Sequence, residues 1–218
     1  YEVYNSSKWR APEYVRNPVS LYNKNWERTK HSIITPYSEH QGVPLVTTMP
    51  SMSEWQALEI FIWYHTRKSG SVHGATILRK KPLEVTCNEC SIGYDIPLDK
   101  WSHGWQNSRF CLVIRGDTPT THAFYNAIRS FCIPVLISDG FEAVGLPFRT
   151  KLNLGAFSVR ITEANFIDGG MDALIKRVNT LEKDTIRNKL LQLKAVQGDL
   201  IWDYPDGRVF NNIIEEIV

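Results

Sequence analysis

Apolar and polar positions along this chain change character near Pro50. Before it, Trp9, Tyr14, Tyr22, Trp26 and Tyr37 are scattered among polar residues with no sustained period. Two short apolar runs in that region, Ser32–Thr35 and Val43–Thr48, predict strands. After Pro50, short apolar runs alternate with longer mixed stretches. Met52–Leu58 reads as a connecting turn, Glu59–Tyr64 as a strand, Gly74–Leu78 as a short helix, and Leu83–Cys87 and Phe110–Ile114 as strands. Thr121–Ser130 follows as a helix, and Ile133–Ser138 and Phe157–Ile161 as strands. Short apolar strands separated by helices are the signature of a parallel sheet with crossover connections, so the predicted fold class is α/β.

Past Asp168, the positions Met171, Leu174, Ile175, Val178 and Leu181 recur at helical spacing, and Ile186, Leu190 and Leu193 continue the stripe. Asp168 or Asp172 is the expected N-cap and Gly198 the expected stop. The turn Pro205-Asp206-Gly207 precedes a last helix, Val209–Val218. These helices read as packing elements. No internal repeat or low-complexity tract interrupts the pattern.

Composition narrows the function classes. With 43% hydrophobic and 22% charged residues, the 218-residue chain is that of a folded domain, neither disordered nor fibrous. Lys and Arg number 25 against 23 Asp and Glu, and a net charge of +2 is too balanced for a nucleic-acid binder that works by neutralising phosphates. An anionic ligand must therefore be caught locally. No apolar run reaches the length of a membrane span and no signal segment follows Tyr1. The start at Tyr1 reads as that of a fragment or processed chain, and a membrane anchor, if there is one, is expected upstream. Of the four cysteines, Cys87 and Cys90 form a C-x-x-C without the second pair or histidines that zinc requires, so a disulfide or two thiols is expected there and no metal. Cys111 and Cys132 lie within apolar runs and read as small core residues.

Chemistry concentrates between Ser108 and Phe166. The buried-looking strand Phe110–Ile114 ends in Arg115-Gly116, and Asp117, Thr118, Pro119, Thr120 and Thr121 lead into a helix. A strand's carboxyl end running into a helix N-terminus offers backbone N–H groups and the positive end of a dipole. Ligands of open parallel sheets bind at such ends, and this one suits a phosphate. Arg115 would add a bidentate donor, and the hydroxyls of Thr118, Thr120 or Thr121 further contacts. The competing structural reading is that Thr120 or Thr121 only caps the helix and Asp117 only neutralises Arg115.

The same stretch resembles the carboxyl-terminal part of exostosin-like glycosyltransferases. The matching residues are Phe110-Cys111-Leu112, Arg115-Gly116-Asp117-Thr118-Pro119-Thr120, Ala127-Ile128, Cys132-Ile133-Pro134-Val135, Ser138-Asp139, Leu146-Pro147-Phe148 and Phe157-Ser158-Val159. The resemblance implies a GT-B arrangement of two facing Rossmann-like domains. Residues 51–218 would be the nucleotide-sugar-binding donor domain and residues 1–50 a remnant of the acceptor-side domain. It further implies inverting transfer from a UDP-sugar to a glycan or glycoprotein acceptor, with no required metal or cofactor. It points to a Golgi or other secretory-pathway lumen, and to a chain that works alone or paired with a like or unlike subunit. The nucleotide-sugar-binding positions carried over are Arg115, Gly116, Asp117, Thr118 and Thr120 around the diphosphate, Asn126 on the ribose, and Asp139 and Glu142 near the sugar or base. No residue is assigned as the general base.

Several positions depart from the family pattern. Asn126 replaces an acidic residue, His122-Ala123 replaces an arginine pair, Ser130-Phe131 replaces Ala-Gly, and Ala143-Val144-Gly145 lengthens a loop. These changes support an alternative: a catalytically weakened relative serving as a binding or stabilising subunit. A general phosphate-binding module is the other competing class, for which the Arg115–Thr118 loop alone would suffice. The sequon Asn5-Ser6-Ser7 is compatible with a secretory lumen.

Overall fold

The strands that the sequence marks most clearly are those with unbroken apolar runs, Phe110–Ile114 and Ile133–Ile137. Ser108–Ile114 (β3) and Ile133–Ile137 (β4) are buried almost without interruption, as strands covered on both faces must be. In the computed structural model of the chain, which describes residues 34–36, 42–58, 60–66, 90–94, 98–115 and 119–217, they are the centre of a parallel sheet. Ile60–Thr66 (β1), Cys90–Tyr94 (β2) and Val159–Arg160 (β5) complete it in the order β2-β1-β3-β4-β5. All four pairings are parallel. The predicted α/β class is the observed one.

Eight helices are present among the described residues: Met52–Gln56 (α1), Leu98–Gln106 (α2), His122–Arg129 (α3), Phe141–Val144 (α4), Leu154–Phe157 (α5), Glu163–Asn179 (α6), Lys183–Leu200 (α7) and Val209–Ile217 (α8). Aromatic rings fill the space between layers. Trp55 meets Phe110 edge-on at 5.5 Å, and Phe124 contacts Tyr125, Phe141 and Phe157. All described residues belong to a unit spanning Ile33–Val218.

Several expectations are corrected. Met52–Leu58 is a short helix, not a turn, because Ser51 and Glu54 cap it reciprocally. Val43–Thr48 forms no strand and pairs with none among the described residues. The Val46 amide donates to the Arg129 carbonyl, and the carbonyls of Val43, Val46 and Thr47 accept from the side chains of Arg129, Gln197 and Lys194. Helix ends therefore occupy the backbone groups that a neighbouring strand would need. Ile34 and Thr35, the described part of Ser32–Thr35, are likewise outside any strand. Phe157–Ile161 shrinks to the two residues of β5, since Phe157 closes α5 and the Ser158 hydroxyl donates to the Leu154 carbonyl. The elements expected at Gly74–Leu78 and Leu83–Cys87 lie outside the described residues.

Helix α6 starts five residues before Asp168, with Thr162 and not Asp168 or Asp172 as its cap. The stripe beginning at Met171 is its second half. Gly170 separates the halves with φ 60° and ψ −146°, a conformation that costs any residue with a side chain about 1–3 kcal/mol. Helix α7 runs past Gly198 to Leu200.

Cys111 and Cys132 are core residues, both 0% exposed, but they are joined in a disulfide instead of lying as separate thiols. The bridge ties β3 to the residue entering β4. Just before it, Phe131 takes φ 59°, and its amide and that of Cys132 close α3 on the carbonyls of Ile128 and Ala127. This is the left-handed helix end that glycine usually supplies. A phenylalanine there carries roughly 1 kcal/mol of backbone strain, offset by burial of its ring to 3% exposure.

Candidate functional site at the carboxyl ends of the strands

In a parallel sheet of order 2-1-3-4-5, the order in which strands are added reverses between β1 and β3, and the crevice at that switch point is where ligands of such sheets bind. Arg115 stands at its edge, directly after β3. Its amide donates to the Ile137 carbonyl at 3.1 Å, extending the β3–β4 ladder by one residue and fixing the backbone from which the guanidinium projects. The residue is 2% exposed, and its Nη1 lies 3.4 Å from Oε1 of Glu163. Gly116, Asp117 and Thr118 lie outside the described residues.

The loop re-enters at Pro119, whose carbonyl accepts from the Ser138 hydroxyl at 2.8 Å, so the turns after β3 and β4 are joined. Thr121 is the N-cap of α3, with its hydroxyl accepting from the Ala123 amide. The capping role is therefore real for Thr121. Thr120 packs on the turn after α4: a Cβ at Gly145 would fall 3.2 Å from the Thr120 Cβ and 3.1 Å from the Phe141 ring. Gly145 thus permits that close approach.

Asp139, at the end of β4, is linked to the first turn of α6 by two reciprocal bonds. Its carboxylate accepts from the Glu163 amide at 3.1 Å, and its own amide donates to Glu163 Oε1 at 3.2 Å. Burial pushes the Asp139 carboxyl above its ordinary range; the amide bond and the nearby Arg160 and Arg115 oppose this while Glu163 adds to it. Glu142 points elsewhere, to a 2.5 Å ion pair with Arg160 in which both side chains are about half exposed. Asn126 sits deeper on α3, 2% exposed. The structure thus brings Arg115 and Asp139 to one carboxylate and Thr120 to the adjoining turn, while Glu142 is turned to the rim and Asn126 to the interior. Among the described residues no cluster of His, Cys, Asp and Glu is suited to hold a metal.

Two residues of this cluster, Glu163 and Arg160, were not singled out from the sequence. The signal for Glu163 was present: a threonine after an apolar run, followed by an acidic residue, marks a helix start. The stronger apolar period beginning at Met171 drew the helix boundary downstream. Nothing comparable announces Arg160.

Comparison with known proteins bears on the same stretch. The profile of the Exostosin GT47 domain matches residues 20–177, more than half of the chain. A protein of Arabidopsis thaliana described as a probable arabinosyltransferase, ARAD1, is 28% identical over 106 residues, 49% of this chain and 23% of that one. Exostosin-1b of Danio rerio is 25% identical over 126 residues, covering 57% and 15% respectively. Exostosin-1 of Bos taurus is 28% identical over 97 residues, covering 44% and 11%. The chain spans less than a quarter of the length of these relatives.

Proposed function

This chain belongs to the Exostosin GT47 domain family, and we propose that it is the nucleotide-sugar-binding part of a glycosyltransferase. In this reading it holds a UDP-sugar at the carboxyl ends of β3 and β4, as the donor domain of a GT-B arrangement. The sugar passes to a glycan or glycoprotein acceptor with inversion. The observation that carries the reading is Arg115, a buried guanidinium at the β1/β3 switch point beside the start of α3. It would stabilise the departing diphosphate together with the Gly116–Thr118 loop, Thr120 and the α3 amides, which makes a metal unnecessary. Asn126 is assigned to the ribose, and Asp139 and Glu142 to the sugar or base. The arabinosyltransferase named among the relatives supports a sugar-transfer chemistry. The Cys111–Cys132 disulfide supports an oxidising secretory compartment such as the Golgi lumen.

Calorimetric titration of the chain with UDP tests this directly. Arg115→Ala is expected to weaken UDP by about thirtyfold, the value of a strong charge-assisted contact. No heat with the unaltered chain, or an unchanged affinity in the variant, overturns the donor-site assignment. A second reading, a binding subunit without transfer activity, is favoured by the first turn of α3, which carries neither an acidic residue nor an arginine. It gains if UDP binds yet no UDP-sugar is turned over with any glycan acceptor.

A further inference from the structure

Glu163 is where the ends of three strands meet, and the reading above gives it no task. It is the first residue of α6, immediately after its Thr162 cap at the end of β5, and its side chain is 16% exposed. One oxygen, Oε1, receives both the Asp139 amide at 3.2 Å and the Arg115 guanidinium at 3.4 Å. In return the Glu163 amide donates to the Asp139 carboxylate. Each acidic side chain therefore holds the other's backbone, fixing the start of α6 against the turn after β4. A carboxylate at a helix N-terminus is further held by the dipole, whereas a long guanidinium takes its direction from the anion beside it. Glu163 is thus the fixed member of the pair and Arg115 the oriented one.

We infer that Glu163 is a positioning residue for the diphosphate-binding arginine, setting where the Arg115 guanidinium stands relative to Asp139 and hence the spacing between the diphosphate and sugar ends of the donor site. This rests on the nucleotide-sugar reading. Glu163 also repels an incoming phosphate, and with its side chain 16% exposed that repulsion is screened only in part. The direction of a buried guanidinium is decided by its contacts. Loss of the carboxylate therefore costs more in orientation than it returns in reduced repulsion.

Glu163→Gln keeps the shape and an acceptor for the Asp139 amide while removing the charge that holds Arg115. The test is calorimetry on the 218-residue chain, Glu163→Gln, Arg115→Ala and the double variant, with UDP and with uridine as the phosphate-free probe. Glu163→Gln is expected to weaken UDP about tenfold and to leave uridine within about twofold. In the Arg115→Ala background the same change is expected to alter UDP affinity by less than about twofold, since the route through the arginine is gone. Should the glutamine variant not fold, Glu163→Asp, which keeps the charge but shortens the reach, carries the same cycle with the same expectation. Unchanged or tighter UDP binding overturns the inference. So does an equal loss for uridine, or an equal loss without Arg115, either of which assigns Glu163 to structure alone. UDP that binds and depends on Arg115 but not on Glu163 defeats only this inference. No binding of UDP by the unaltered chain defeats the donor-site reading and this inference with it.

Discussion

At the amino end of the sheet this protein's side-chain donors are bound to backbone carbonyls, and at the carboxyl end its carboxylates are bound to backbone amides. Around the last turn of α3, Arg129 forks onto Asp203 and donates to the Val43 carbonyl. Gln197 donates to the carbonyls of Val46 and Ile128, and Lys194 to that of Thr47. Below β5, Lys189 closes α5 on the carbonyls of Gly155 and Ser158. Across the sheet, Thr121, Asp139, Thr162 and Glu163 all accept from amides. The difference follows from layering. Every helix that returns between parallel strands leaves its carbonyls at the amino end and its amides at the carboxyl end. One end is thereby built to be closed by cations from the protein itself, and the other to receive anions. The cations of the amino end bind carbonyls there, while Arg115 is a buried cation at the carboxyl end, beside the Glu163 carboxylate.

If that contrast is right, changes at the two ends separate stability from ligand binding. The largest expected effect falls on what both ends share, the wall of β3 and β4. Replacing Cys111 and Cys132 by Ala removes a cross-link over 21 residues of sequence and is expected to cost about 3 kcal/mol. Thermal scans should show a fall of roughly 6–12 °C for a domain of this size. Because both cysteines are 0% exposed, reductant is expected to act only on the unfolded chain, and rapid reduction of the native protein would contradict the burial. Next comes Gln197→Ala. It leaves two inward carbonyls without their side-chain donor, and is expected to cost about 2 kcal/mol in urea unfolding with UDP affinity unchanged. A loss of UDP affinity matching that of Arg115→Ala would erase the distinction between the ends.

The smallest effects are expected from two aspartates, with opposite pH signs. The Arg129 fork holds the Asp203 carboxyl below its ordinary range despite some burial. A depressed carboxyl contributes stability above its unfolded pKa of about 3.9, and that contribution disappears as pH falls through the folded value. Asp203→Asn should therefore lower stability at neutral pH, by less than about 1 kcal/mol for so exposed a partner, with the deficit fading under acid. Asp139 is shifted the other way, chiefly by burial, so its charged form is disfavoured in the folded chain. Asp139→Asn keeps an acceptor for the Glu163 amide and should leave stability equal or slightly raised at neutral pH, the advantage vanishing as acid protonates the native aspartate. Urea unfolding at pH 7 and pH 4 compares the two; the same sign for both would break the contrast.

Much of this architecture is legible before folding. Phe110–Ile114 and Ile133–Ser138 announce central strands because a strand covered on both faces has no polar position to lose. The Arg115–Thr121 loop announces a strand-to-helix turn because arginine, glycine and threonines follow an apolar run. The two-residue β5 and the Val43–Thr48 segment are misread for a common reason. Apolar β-branched runs state only that a segment is buried, and whether its backbone meets a strand or a helix end is settled by neighbours far along the chain. The leucine and valine stripe after Asp168 shows a helix but hides its true start, since the Thr162-Glu163 cap lies beyond a glycine kink that interrupts the period.

The sequence by itself determined the α/β class and the placing of an arginine directly after a central strand, since these depend on local periodicity and on residue chemistry within a few positions. Only the tertiary structure decided that Cys111 and Cys132 are one bond, that Phe131 occupies a glycine's conformation, and that Glu163, 48 residues beyond Arg115, is the carboxylate beside its guanidinium. Those facts are contacts between distant parts of the chain. They exist because parallel crossovers bring the ends of β3, β4 and β5 side by side, and no local pattern encodes which side chains then meet.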